Sequence, residues 1–387
     1  MRHTADVVIV GGGVMGCSIL YNLSRRGMGK SLLLEQQVLG GGSTGRSQAI
    51  CRMHYSNPVT ASLAWESLKI FAKFSELIGG ASGFVRTGYL VVVGPLDRRG
   101  LERNVAMQQE LGIRTALITA AEVKDLAPML DVSEAGGLAW EPDSGYADPY
   151  LVTTSYSARA LELGARIETR TAATSIEVKG GRVRAVVTEQ GGVETPVAVV
   201  ASGPWSRLVL GKMGIDVPIV PVRHQVALVT RLVGLLPEHP TVGDIAQSFS
   251  FRPEGSNYTM VGFGEEEVSL EDYNQCLDMP AAAEAVRKLV RRMPAMSESY
   301  IRGGWSGLFD VTPDWHPIVD QVPGIQGLYL AAGFSGHGFK LSPMIGVTMS
   351  ELITQGQATS VDITPLRFSR FATGDLLSSS YRYRVLA

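Results

Sequence analysis

Three glycines at a fixed spacing carry the first chemical signal. Gly11, Gly13 and Gly16 satisfy G-x-G-x-x-G and directly follow the apolar run Ala5-Asp6-Val7-Val8-Ile9-Val10. Cys17 to Arg26 then reads as a helix with Ile19, Leu20 and Leu23 on one face, and Gly27 can end it. Ser31-Leu32-Leu33-Leu34 reads as a second buried strand, with Glu35 at its end. Strand, glycine turn, helix, strand and acid in this order form a dinucleotide-binding unit. Gly11 makes the turn, Gly13 admits a pyrophosphate to the backbone, and Gly16 lets helix and strand pack closely. The helix N-terminus, with Val14 and Met15 in its first turn, faces the anion. Glu35, followed by Gln36, can accept hydrogen bonds from ribose hydroxyls.

The motif alone does not separate nicotinamide from flavin dinucleotides. The loop after Glu35 does, because Leu39-Gly40-Gly41-Gly42-Ser43-Thr44-Gly45-Arg46-Ser47 offers N–H groups and hydroxyls to a long pyrophosphate and ribityl chain. Near the C-terminus the pattern returns. Leu328 to Ala332 reads as a strand, Gly333 to Gly338 as a turn, and about Ser342 to Ile353 as a helix. A second glycine turn thus precedes a second helix and again presents N–H groups and a positive dipole end. A nicotinamide-dependent dehydrogenase conflicts with this second glycine turn.

Composition bounds the rest. The chain has 387 residues, which suggests two domains. Hydrophobic residues at 45% and charged residues at 19% exclude a disordered chain. A net charge of −2 gives no reach for nucleic-acid phosphates. Cys17, Cys51 and Cys276 have neither the number nor the spacing of a disulfide framework or zinc site, so no metal is expected. No run approaches the ~20 apolar residues of a membrane span. The expectation is a soluble protein of a reducing compartment, placed in the cytoplasm. Asp148-Pro149 starts a helix towards Leu163, and Ala282 to Arg292 reads as another.

These residues resemble the D-amino-acid oxidase superfamily, and within it the sarcosine oxidases, their beta subunits and the related glycine, dimethylglycine and proline flavoenzymes. Gly40 to Arg46 followed by Ile50-Cys51-Arg52 is similar to its flavin loop. Val199 to Trp205, Phe251 to Gly255, Thr312-Pro313-Asp314, Gly333 to Lys340 and Arg370-Phe371 are similar to later family segments. The resemblance implies an α/β chain, α+β overall. A Rossmann-like FAD-binding domain with a parallel central sheet would take 1–84, 146–215 and 318–387. A substrate domain with a mixed, largely antiparallel sheet would take 85–145 and 216–317. It implies FAD contacts from Gly42, Ser43, Thr44, Arg46, Ser47, Ala173, Ser202, Gly203, Trp205, Gly307, Gly336, Gly338, Phe339 and Lys340, beside those of the first motif.

The implied reaction is oxidation of the C–N bond of a small N-substituted or cyclic amino acid, sarcosine-, glycine- or proline-like. A hydride passes to flavin N5 and the imine hydrolyses. Arg52 and Lys340 match the positions that clamp the substrate carboxylate. His337 reads either as a catalytic base or as a turn histidine packed on the flavin. His54 and Tyr55 would line the pocket, Phe249 and Phe251 would form an apolar wall, Trp305 reads as core or lining, and His224 faces substrate or the sheet edge. The alternative is a flavoprotein subunit of a multi-subunit amine dehydrogenase or oxidase. A homo-oligomer or a partner electron-transfer subunit both remain open. The strand Tyr258-Thr259-Met260-Val261-Gly262-Phe263 puts Met260 where monomeric sarcosine oxidase carries an oxygen-activating lysine, which favours another electron acceptor.

Departures from the family bear on flavin attachment. Gly307 stands where monomeric sarcosine oxidase has its linking cysteine, Arg46 where dimethylglycine-type relatives have a linking histidine, and Tyr146 to Pro149 lacks the FMN-linking histidine. One noncovalent FAD is expected. Acid precipitation should therefore release all the yellow colour into the supernatant, and colour kept in the pellet would contradict this.

Overall fold

Two sheets divide the structural work. The structure, a computed structural model, describes residues 3–231, 238–381 and 383. The parts of the expected domains at 1–2, 232–237, 382 and 384–387 lie outside the described residues.

The first sheet has six strands in the order Arg166–Glu168, Ser31–Leu34, Val7–Val10, Ala198–Val200, Leu328–Ala332 and Ile318–Gln321. All neighbours run parallel except the last pair. The central strands are buried on both faces, which is why they read as unbroken apolar runs rather than alternating ones. On one face pack the helices Val14–Arg25, Pro149–Glu162 and Gly338–Gln355. On the other lies a small sheet whose Ile176, Val183, Val186 and Val193 share a core with Val8, Val10, Leu32 and Leu34.

The second sheet has eight strands. Their order is Ile301–Val311, Val220–Thr230, Tyr258–Glu267, Phe249–Glu254, Thr241–Asp244, Tyr89–Val93, Gly137–Glu141 and Ala116–Leu117. Every pairing is antiparallel except Thr241–Asp244 with Tyr89–Val93. The expected mixed, largely antiparallel sheet is therefore present.

Side chains alternate across this sheet. Val261 and Phe263 enter a core with Ala282, Ala285 and Leu289 of the Met279–Arg292 helix, and Phe249 and Phe251 join them. This corrects the expected apolar pocket wall, because both phenylalanines point away from the cavity.

Helix starts differ from the sequence reading in one useful way. Asp148 caps its helix as expected, accepting from the amides of Tyr150 at 2.8 Å and Leu151 at 2.9 Å. The C-terminal helix, however, begins at Gly338 rather than near Ser342. Lys340 is thereby in its first turn. Among the described residues no helix is long and apolar enough to cross a membrane.

Candidate active site

The glycine turn is held by contacts that no other residue type could make. Gly11 has φ +114°, and a Cβ there would lie 2.5 Å from the Ala201 carbonyl oxygen. A Cβ on Gly16 would lie 1.9 Å from the Gly11 carbonyl oxygen, so Gly16 seats the helix on the strand. The Glu35 carboxylate accepts from the amides of Gly12 and Gln37, each at 2.7 Å. Thr44 Oγ1 accepts from the Val14 amide at 3.1 Å, which ties the second glycine loop to the helix start. No N-cap side chain covers the start of that helix, so the amides after Val14 and the dipole remain available to an anion.

A cavity of about 600 Å³ runs from this turn to the second one. Its walls include Gly11, Gly13, Val14, Met15, Glu35, Gln36, Gly42, Ser43, Thr44, Arg46, Ser47, Ala173, Ser202, Gly203, Trp205, Gly307, Gly336, Gly338, Phe339 and Lys340. Of the expected cofactor residues only Gly16 is absent from the lining, for the packing reason just given. The size lies within the ~300–1,000 Å³ usual for cofactor sites. Ser43 Oγ is buried without a hydrogen-bond partner among the described residues, a polar atom suited to a ligand oxygen. These features fit an extended flavin dinucleotide. A Cβ on Gly307 would lie 2.9 Å from Arg46 Cβ, so the wall has no room for a linking side chain there. Arg46 itself is engaged with the carbonyls of Gly41 and Gly42 and, at 2.6 Å, with Gln275 Oε1.

The second turn is braced by a buried acid. Asp310 Oδ2 accepts from the Gly333 amide at 2.6 Å, and the Asp310 carbonyl accepts from the Ser335 amide at 3.1 Å. Burial pushes the Asp310 carboxyl up to about 6 against the pull of these amides. A Cβ on Gly336 would lie 2.9 Å from the Phe309 ring. The turn is thus pinned to the second sheet as it enters the helix.

Two cations close this end. Arg52 is 2% exposed and Lys340 7% exposed, and both line the cavity. Arg52 donates to the His54 carbonyl and lies 4.4 Å over the Tyr55 ring. The Lys340 ammonium makes no hydrogen bond or ion pair among the described residues. Burial, and then the charge of Arg52, hold Lys340 well below the usual lysine range.

Several expected residues sit elsewhere. His337 and His54 do not line the cavity. His337 is fully buried behind it, 3.5 Å from the Arg52 guanidinium, edge-on to Tyr55 and stacked near His316. Burial, Lys340 and Arg52 keep it neutral. His54 bonds Tyr381 at 2.6 Å on the far side of Arg52. Neither side chain is part of the cavity wall; the His54 carbonyl and the His337 ring lie against Arg52 instead. Tyr55 likewise serves as the platform under Arg52. Trp305 donates to the Arg46 carbonyl at 2.9 Å instead of lining the cavity. Met260 is also off the wall; Gly262 lies between Gln48 and His224 there, its would-be Cβ 2.1 Å from Gln48 Oε1.

His224 does line the cavity, stacked on Phe309 at 4.5 Å. Sequence reasoning missed Gln48, Tyr89, Ser250, Phe309 and the segment from Leu270 to Tyr273, all part of the wall. Tyr89, Ser250 and Phe309 meet only through the pairing of strands distant in sequence, Gln48 and the Leu270–Tyr273 segment lie outside the strands, and no local motif marks them.

The family profile described as "FAD dependent oxidoreductase" matches residues 6–352. Mouse (Mus musculus) mitochondrial sarcosine dehydrogenase is 27% identical over 92% of this chain, which spans 40% of that protein's length. Sarcosine oxidase subunit beta of an Arthrobacter species is 27% identical over 97% of this chain and 93% of its own. The crystal structure of L-proline dehydrogenase from P. horikoshii superposes with a TM-score of 0.90 at 28% identity, covering 97% of this chain and all of that one.

The turn geometry makes a sharp prediction. Gly11→Ala should abolish flavin retention, because its methyl group meets backbone at 2.5 Å in a conformation that L-residues rarely adopt. Purified variant protein with a wild-type flavin-to-protein absorbance ratio would contradict this.

Proposed function

The chain belongs to the family of FAD-dependent oxidoreductases, and from that premise we propose that it oxidises the C–N bond of a small N-substituted or cyclic amino acid. The observation that carries this reading is the pair of buried cations, of which Lys340 has no partner among the described residues. A carboxylate is a ligand that Lys340 could take, with Arg52 beside it. Arg52 offers a planar fork and Lys340 a point charge, a combination suited to fixing a carboxylate in one orientation. A bound flavin supplies the two-electron acceptor for the carbon beside the substrate nitrogen.

His224 supports the same reading at the other end of the substrate. Its Nδ1 lies 2.9 Å from the Gly264 carbonyl oxygen and must donate to it. Burial lowers the ring to about 4, so it is neutral and its Nε2 is an acceptor. An acceptor on this wall suits the N–H of an amine substrate. Phe309, Tyr89 and Ile50 make the intervening wall apolar, which suits a small aliphatic body.

The names of the relatives support the substrate class: sarcosine, an N-methyl amino acid, and L-proline, a cyclic one. The likeness to a sarcosine oxidase beta subunit along nearly its full length supports a second reading, in which this chain works with partner chains. Full-rate turnover by the isolated chain would contradict that second reading.

Lys340→Met tests the clamp. A hydrogen bond to a charged group is worth about 1.5–3 kcal/mol, so amino-acid binding should weaken roughly 10- to 100-fold. Matching amines without the acid should bind as before. Equal losses for both ligand types would refute the reading.

A further inference from the structure

Behind the clamp lies a buried carboxylate with no role in the reading above. Glu141 ends the Gly137–Glu141 strand and is fully buried. It pairs across the sheet with Tyr89, whose ring lines the cavity. Cross-strand partners share a face, so Glu141 is carried to the side where Arg52 lies. One carboxylate oxygen accepts from the Met53 amide at 3.0 Å and from Ser144 Oγ at 2.7 Å. The other has no hydrogen-bond partner among the described residues and lies 3.9 Å from His54 Nδ1, which also has none. His54 in turn offers its carbonyl to Arg52 and its Nε2 to Tyr381. The segment that Glu141 grips is therefore the one that anchors the clamp arginine.

The surroundings of Glu141 contain few charges. Arg52, His54 and Tyr55 face it from the segment after Cys51, and Tyr89 from the neighbouring strand. Its own hairpin contributes Ser144 and Asp143. Gln108 of the Arg98–Glu110 helix reaches His54 and Tyr55, and Tyr381 reaches His54. Arg52 is the one cation among these described groups, with Lys340 close beyond it.

Resting on the reading of Arg52 and Lys340 as a carboxylate clamp, we infer that Glu141 is a positioning residue that sets the charge of the anion-binding end. Neutral, it holds the Met53–His54 segment and leaves the field of Arg52 to the substrate. Ionised, it draws on that field and weakens anion binding. Burial pushes its carboxyl up to about 7, against the pull of the Met53 amide, Ser144 and Arg52. The sign follows from linkage. An anion bound beside Arg52 favours neutral Glu141, so binding takes up a proton, and affinity falls as pH rises through about 7. Lys340 would give the same direction by losing its charge, so the test must separate the two groups.

The test measures the affinity of a non-oxidisable carboxylate, propionate, for the flavin-loaded protein by perturbation of the flavin spectrum. Wild-type affinity should fall roughly three- to tenfold between about pH 6 and about pH 8, the scale of a one-unit coupling. Glu141→Gln should keep the low-pH affinity throughout. Ser144→Ala should move the fall to higher pH, because a carboxylate that loses a donor is harder to ionise. The infrared difference between the wild-type and Glu141→Gln proteins, in which the Asp310 carboxyl cancels, should show a protonated-carboxyl band near pH 6 that is lost near about pH 9. An unchanged fall in Glu141→Gln would overturn the inference and assign the proton to Lys340, as would absence of the band. Failure of propionate to bind at any pH would overturn the clamp and this inference with it, and the infrared band tells the two failures apart.

Discussion

The architecture turns on bringing two positive charges together out of water. Arg52 and Lys340 come from opposite ends of the sequence, are nearly fully buried, and act on each other. Such a pair is unfavourable unless its surroundings compensate it, because desolvation and repulsion both oppose the charged forms. Arg52 is stabilised by the Tyr55 and Tyr89 rings and by the His54 carbonyl. Lys340 has the first turn of its helix around it, where the dipole is also positive. The proposed carboxylate would complete the Lys340 side of this corner.

The rest of the C-terminal region serves to hold that helix in place. Asp314 and Arg370 form a buried two-point ion pair at 2.7 Å and 3.0 Å. Arg370 also donates to the His316 carbonyl at 2.7 Å, and Asp314 accepts from the Leu377 amide at 3.2 Å. The Thr312 amide, at the start of the Thr-Pro-Asp turn, donates to Ser335 Oγ in the glycine turn at 3.2 Å. The closing segment, the Thr-Pro-Asp turn and the Gly333–Gly338 turn are thereby one hydrogen-bonded block. Breaking such a buried pair by removing one partner typically costs about 3–5 kcal/mol. Position in this block is what keeps Lys340 in the cavity wall.

What was legible in the sequence follows from what is local. The glycine turn, Glu35 and the second glycine loop are read from spacing because each acts through its own backbone within a few residues. Arg52 and Lys340, which line the cavity, stand out in the sequence because they sit in such segments. His54 and His337 were misplaced for a related reason. Nearness in sequence to Arg52 or Lys340 does not say which side of the chain a ring takes, and both rings turn inward behind the cations. Phe249 and Phe251 show the same limit in a strand. A period of two names two faces without saying which one meets the Met279–Arg292 helix. Gln48, Phe309 and Leu270 to Tyr273 needed the two sheets to be packed before any role could be seen.

The account stands or falls on whether the cavity recognises a carboxylate next to an oxidisable amine. The most direct measurement is bleaching of the flavin-loaded protein without oxygen, across sarcosine, N,N-dimethylglycine, proline and glycine and their counterparts lacking the carboxyl group. It reports the reductive half of the reaction whatever the electron acceptor. Rapid bleaching by at least one of the amino acids, with its decarboxylated counterpart much slower, is the result this structure predicts. Bleaching by amines and amino acids alike, or by neither, would contradict it.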